Sequence, residues 1–368
     1  MSNGLGQVQV TGASFSNLDD KITYVAFRSV SVPLPEFGIE APVAVWYPMS
    51  SSTQSTNGKG TDSVGMEHFK LAHYDHKISL AKIGRLLVGW NLPSFFSKKY
   101  RLVPTLNKKE GAIVVNGDEM QIPTKDVPMV LLAHGYLGSR FDLSHLAESL
   151  ALEGFLCISA EYPESLSASY DSILSEEFNR SYITDRVLDY FQNEMNICPK
   201  SKGIVGHSLG CGTVVQTGDS SWTRVCIAGG FRGDTKRIGE NSPVLIMSSM
   251  NDGAVTYARV KDTIPKDFVS LNENFIAFED DTNAAIMQDI PRRASFLFEG
   301  SEAPNHISFL SENVNDSMID FLSPILPIAL ALGIPVLDFD RYKVSQDSDR
   351  TAQTMLPVIK KFLKQNMM

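Results

Sequence analysis

Runs of consecutive apolar residues about one strand long recur through the chain at residues 128–133, 154–160, 202–205, 224–228, 243–248 and 294–298. Near-continuous rather than alternating apolarity is the pattern of strands covered on both faces. Between these runs, residues 141–150, 173–195 and 211–217 read as helices, and residues 351–365 as an amphipathic closing helix. Strands taking turns with helices predict a doubly wound, mostly parallel α/β sheet with helices on both faces. Ahead of this unit, residues 24–32 and 41–48 read as an antiparallel strand pair. No internal repeat appears, and one domain over residues 1–368 is the expected organisation.

Residues 49–110 interrupt the pattern before the main sheet. Their first part, 49–64, is rich in Ser, Thr and Gly and reads as a loop. Residues 67–98 read as helical, with an apolar face at three-to-four spacing through Ile83, Leu86, Leu87 and Trp90 and then Phe95-Phe96. Such an insertion is a candidate cap or pocket wall, with Leu87, Trp90 and Phe96 as candidate substrate-binding residues, and Phe95-Phe96 also suits peripheral contact with a membrane surface. The apolar run at 323–337 is broken by Pro324, Pro327 and Pro335, too short to span a bilayer, and is expected to pack in the core.

The chemistry concentrates at Gly206-His207-Ser208-Leu209-Gly210, a G-x-S-x-G between a strand run and a helix run. Small residues there permit a sharp turn that presents Ser208 as a nucleophile, and the following helix N-terminus favours developing negative charge. Upstream, the 128–133 run ends in His134-Gly135-Tyr136-Leu137-Gly138. A loop of this kind supplies a backbone amide, that of Tyr136, to converge with the Leu209 amide as an oxyanion hole. Asp252 follows the 243–248 run, and His306 lies in the loop after the 294–298 run. The order Ser208, Asp252, His306 is the chain order of the α/β-hydrolase triad.

Seven histidines are available, and His306 alone follows the serine. His207 is expected to point away from its neighbour, His134 to hold the oxyanion loop, and His145 to be a surface or half-buried helix residue. His73 and His76 have an i, i+3 spacing, but no Cys or acidic cluster completes a metal set. The net charge of −9 and the absence of a basic run argue against nucleic acid. Cys157, Cys198, Cys211 and Cys226 are far apart and read as thiols, which favours a reducing, intracellular compartment, cytoplasmic or organellar. No signal peptide is visible from residue 1, although a trimmed targeting segment would leave the same picture. Asn179-Arg180-Ser181 and Asn315-Asp316-Ser317 match the glycosylation triplet.

The stretch Gly206 through Thr217, with its Thr-Val and Gln-Thr, resembles the elbow of the plasma and type II platelet-activating-factor acetylhydrolases. His134-Gly135-Tyr136-Leu137-Gly138-Ser139-Arg140, Gly154-Phe155, Ala160-Glu161, Ser167-Ala168-Ser169-Tyr170 and Gly84-Arg85-Leu86-Leu87 extend the resemblance over roughly residues 41–306. The His-Gly-Tyr-Leu loop and Gly-His-Ser elbow also resemble those of the chlorophyllases. Both resemblances imply an α/β-hydrolase fold, a serine carboxylester hydrolase working through an acyl-enzyme without a cofactor, and an ester with a long lipophilic part. In both families the acid follows the strand after the elbow helix, where this chain has Ile227-Ala228-Gly229-Gly230-Phe231-Arg232-Gly233-Asp234. The acid is therefore Asp234, a few positions late, or Asp252, whose D-x-x-V setting favours it. An acyltransferase using the same serine and a non-catalytic binding module of the same fold are the other classes open to such a sequence.

Overall fold

The strand runs of the sequence assemble around a ten-stranded sheet in the computed structural model. The structure describes residues 23–49, 69–89, 97–108, 111–170, 177–231, 237–271, 276–279, 283–286, 289–324, 327, 331 and 346–368. The chain opens with β1 (Thr23–Leu34) and β2 (Ile39–Pro48), then β3 (Tyr74–Ser79), α1 (Leu80–Val88), β4 (Ser97–Leu102) and β5 (Ala112–Asn116). The alternating part follows as β6 (Met129–Ala133), α2 (Ser144–Leu152), β7 (Leu156–Ala160), α3 (Arg180–Asp189), β8 (Lys202–His207), α4 (Gly210–Gln216) and β9 (Thr223–Ile227). Next come β10 (Val244–Ser249), α5 (Tyr257–Lys261), β11 (Val269–Leu271), β12 (Ile276–Glu279), β13 (Asn283–Ile286), β14 (Arg293–Phe298), α6 (Glu312–Leu322) and α7 (Ser348–Met367).

The main sheet has the order β11-β14-β10-β9-β8-β6-β7-β2-β1-β5. Only β2 runs against the rest: it is antiparallel to both β1 and β7, while every other neighbouring pair is parallel. Successive side chains of the central strands enter opposite cores. Met129, Leu131, Ile158, Ile204 and Ile246 pack on the face covered by α3, α4 and α5, and Val130, Leu132, Cys157, Val205 and Leu245 on the face covered by α2, α6 and α7. Burial on both faces explains why these strands carry no polar alternation. Sequence positions after β6, β8, β10 and β14 therefore all reach one rim of the sheet, the edge where open α/β sheets build their sites.

The insertion differs from its sequence reading. Residues 74–79 and 97–102 are not helical but pair as an antiparallel hairpin, and among the described residues between them the helix is α1. In β3 the residues Tyr74, His76 and Ile78 are buried while Asp75 and Lys77 are exposed, a two-residue period that overrides helical spacing. Helical geometry starts only where the Ser79 side chain caps the Lys82 N–H, and it ends at Gly89 in the left-handed region, φ 70°. Ile83 is buried in the core and Leu86 packs half-buried against it, so this part of the apolar face belongs to the fold. Leu87 lies in the last turn of α1, whereas Trp90, Phe95 and Phe96 fall outside the described residues, as do residues 50–64 of the expected loop and most of 323–337.

Other departures are smaller. The helix expected at 173–195 begins at Arg180, capped by Asn179, and widens into a π turn at Tyr190–Glu194; residues 173–176 lie outside the described residues. His145 is buried, not on the surface, because α2 is covered along nearly its whole length. His73 is exposed and His76 buried, so this pair does not converge on a common point. Cys157, Cys211 and Cys226 are buried free thiols and Cys198 an exposed one. Asn315 is wholly buried, which closes its triplet to glycosylation in the folded chain, and Asn179 is used as a helix cap. No helix among the described residues is long and apolar enough to cross a membrane.

Candidate active site

Ser208 sits between β8 and α4 with φ +55°, a left-handed conformation that costs a non-glycine residue energy. Its glycine neighbours make the turn possible by contact distance. A Cβ at Gly206 would lie 2.4 Å from the Gly210 carbonyl oxygen, and one at Gly210 would lie 2.1 Å from the Ala133 carbonyl oxygen. The backbone is stitched in place by Ser208 N–H to Ile227 O (2.9 Å) and Cys211 N–H to Ser208 O (3.0 Å).

Asp252 and His306 arrive from the ends of β10 and β14. The His306 Nε2 is 2.9 Å from Ser208 Oγ, and its Nδ1 is 2.9 Å from Asp252 Oδ2. The other Asp252 oxygen accepts the N–H groups of Ala254 (3.0 Å) and Val255 (2.7 Å). Both carboxylate oxygens are thus engaged, and Asp252 and His306 are almost completely buried. A hydroxyl donating to Nε2 while Nδ1–H donates to a carboxylate is the tautomer that accepts a proton from serine. Parallel crossovers, a strained serine elbow and this chain order now stand together. The chain has the α/β-hydrolase fold. The alternative acid, Asp234, lies outside the described residues.

The loop after β6 closes over the serine. Gly135 approaches so closely that a Cβ there would sit 3.1 Å from Ser208 Cβ. Among the described residues the N–H groups of Tyr136 and Leu209 take no hydrogen-bond partner, as donors reserved for a developing oxyanion require. His134 holds the loop: its Nε2 accepts the Tyr162 N–H (3.0 Å), leaving Nδ1–H to donate to the Gly135 carbonyl (2.7 Å). Burial, with Arg180 nearby, holds its basicity well below the ordinary imidazole range, so the ring is neutral.

Several residues that support the site carry no local signal. His207 faces away from the serine but not into a bland core. Its Nε2–H donates to the His306 carbonyl (3.0 Å), and its ring lies 4.8 Å from the His306 ring; burial keeps it neutral. Arg180, from α3, donates to the His134 carbonyl and to Thr213 Oγ1 of α4 (3.0 Å), pairs with Glu164 (3.4 Å) and stacks on Tyr162. One guanidinium therefore bridges the two elements that carry the free amides. Asn315 of α6 donates to the Ile307 carbonyl (2.6 Å), and Asn251 to the Ala303 carbonyl (3.0 Å), fixing the histidine loop from both sides. Beneath the loop after β6, buried Asp142 accepts the Ser139 N–H (2.8 Å) and hydroxyl (3.1 Å), and burial pushes its carboxyl up to about 7. Arg180 and Asn315 sit in helices far from the site in sequence, and His207, Asn251 and Asp142 lie close by but show their role only through the groups they bond.

No protein-family model and no curated protein matches the chain. Among solved structures, the ferulic acid esterase of Streptomyces cinnamoneus is 15% identical over 95% of this chain and 92% of its own, with a TM-score of 0.49. An esterase of Pyrococcus furiosus is 9% identical over 93% of each chain, with a TM-score of 0.43. A Klebsiella pneumoniae protein described as a putative dienelactone hydrolase is 11% identical over 82% of this chain and 97% of its own, with a TM-score of 0.38. The fold assignment rests on the strand order and elbow of the chain itself.

Proposed function

We propose that the chain is a serine carboxylester hydrolase that acts on a lipophilic ester through an acyl-enzyme. The observation that carries this reading is the unbroken hydrogen-bond chain from Ser208 Oγ through His306 to Asp252 at the sheet rim. In this account His306 takes the hydroxyl proton as Ser208 attacks the ester carbonyl. The Tyr136 and Leu209 amides receive the oxyanion, and Asp252 steadies the imidazolium. The proton then passes to the departing alkoxide, and a water activated by the same His306 releases the acid.

Lipophilicity is supported by two exposed apolar side chains beside the triad, Leu209 (42% exposed) next to Ser208 and Met250 (56%) two positions before Asp252. Apolar surface of this kind contributes roughly 25 cal/mol per Å² of substrate it covers, so specificity rises with the length of the non-reacting chain. The resemblance to platelet-activating-factor acetylhydrolases and chlorophyllases points the same way. In this reading α1, which meets the oxyanion loop where the Tyr136 hydroxyl donates to the Leu86 carbonyl, is the wall for such a chain.

A screen of short-acyl phospholipids, chlorophyll and p-nitrophenyl esters of graded length tests the reading. Hydrolysis rising with chain length and lost in Ser208→Ala is the expected result; no ester turned over by the wild-type chain, or turnover retained by Ser208→Ala, overturns it.

A further inference from the structure

We infer that the Tyr136 side chain couples the oxyanion hole to α1, so that recognition of a long ester is expressed in turnover as well as in binding. The inference rests on the hydrolase reading and deepens it. Tyr136 has two ends with different tasks. Its N–H is one of the two unpaired amides beside Ser208, while its hydroxyl donates to the Leu86 carbonyl of α1 at 2.6 Å.

Leu86 lies in the last turn of α1, where carbonyls have no partner within the helix. Gly89 N–H closes on the carbonyls of Arg85 and Gly84, so the Tyr136 hydroxyl serves the Leu86 carbonyl from outside. The helix is firmly held at its other end, where Ser79 N–H donates to Leu166 O (3.0 Å) and Ser79 Oγ caps Lys82. The oxyanion loop is likewise fixed on its far side by Leu137 N–H to Glu164 O (2.9 Å) and Leu166 N–H to Gly138 O (2.9 Å). Between these two anchored ends, Tyr136 is the direct link from the end of α1 to the amide beside the serine. Its side chain is half-buried, packed against the core that also holds Ile83 and Leu86 of α1. A chain resting on α1 fixes the Leu86 carbonyl, hence the ring, hence the amide. Tyr136 therefore acts as a positioning residue through its side chain, apart from the role of its backbone.

Loss of a whole oxyanion donor costs roughly a hundred- to a thousandfold in turnover, and loosening one costs less. Tyr136→Phe in the full-length chain keeps the ring and removes only the link. On a long-acyl p-nitrophenyl ester, kcat is expected to fall about tenfold with KM within about twofold, and on p-nitrophenyl acetate by a clearly smaller factor of about twofold to threefold. The Ki of a long-chain trifluoromethyl ketone, whose serine adduct bears the oxyanion, rises by the same factor as kcat/KM falls. Equal loss on long and short esters, or no loss on either, overturns the coupling. Should the wild-type chain hydrolyse no ester, the hydrolase reading fails by itself, and amide hydrogen exchange then decides the link separately. Faster exchange at Tyr136 and in the last turn of α1 in the variant supports it, and unchanged exchange refutes it.

Discussion

The serine rim and the insertion that meets it at Tyr136 are held by different forces. At the rim, backbone lies on backbone: the Gly206 and Gly210 positions leave no room for a Cβ, and Ser208, Leu137 and Ala228 are held at positive φ. The insertion, β3 with α1 and β4, is fastened to the body mainly by side chains, beside the backbone bond from Ser79 N–H to Leu166 O. His76 bonds Ser317 (3.1 Å), Lys98 and Tyr100 both reach Asp320 (2.8 and 2.7 Å), and Tyr74 joins Trp46 to Glu148. Backbone contact fixes geometry to within tenths of an ångström, as a reacting constellation demands. Side-chain fastening tolerates replacement more readily, as the wall proposed for the insertion would require.

Substitutions at the rim should have the largest effects. His306→Ala should lower ester turnover at least about a thousandfold, since triad members act as a unit. Asp252→Asn should approach ten-thousandfold, roughly the cost of holding the imidazole in the wrong tautomer. Steady-state kinetics on p-nitrophenyl esters measures both, and a loss below about tenfold for Asp252→Asn would return the acid to Asp234.

Gly210 and Gly212 sharpen the comparison within a single helix. A Cβ at position 210 meets the Ala133 carbonyl, whereas one at position 212 has nothing within 4 Å. Gly210→Ala is expected to cost about 3 kcal/mol or more by overpacking, and Gly212→Ala to add up to about 1 kcal/mol through helix propensity. Urea unfolding of the two variants compares them directly; similar midpoints would mean that the elbow is not tightly packed.

Legibility in the sequence followed the same division. Glycines demanded by backbone contact, and apolar runs demanded by burial on both faces, are local signals. They exposed Ser208, the Tyr136 loop, the central strands and the positions of Asp252 and His306. The β3–β4 hairpin was hidden because pairing partners some twenty residues apart leave no local mark, and its β3 residues, Tyr74 to Ser79, run straight into a true helix. Arg180, His207 and Asn315 were hidden because a buried polar residue looks like a surface one until its distant partner is known. β5 was missed since its five residues, Ala112–Asn116, add an edge strand beside β1 far from the alternating pattern.

Proton linkage separates the two regions with smaller effects of opposite sign. Burial pushes the Asp142 carboxyl, under the loop after β6, up to about 7 from its ordinary 3.8. The folded state then binds the proton more tightly than the unfolded chain, so this group's contribution to stability falls as pH rises from about 4 to about 7. In the insertion, burial first and the Arg140 charge second lower His76 to about 3 from 6.5. There the unfolded chain binds the proton more tightly, and the contribution falls as pH drops from about 6.5 toward 3. Urea unfolding across pH 4 to 7.5 should show Asp142→Asn losing the first slope and His76→Phe the second. Unchanged slopes would mean that neither group is as dry as its surroundings indicate.

The central claim is that Ser208 is the nucleophile served by His306. Treatment of the folded wild-type chain with a fluorophosphonate probe, followed by digestion and mass mapping, tests it most directly. The account predicts one adduct, on the peptide that contains Ser208, formed far more slowly in His306→Ala and absent from Ser208→Ala. An adduct on another residue, or labelling that survives Ser208→Ala, would contradict it.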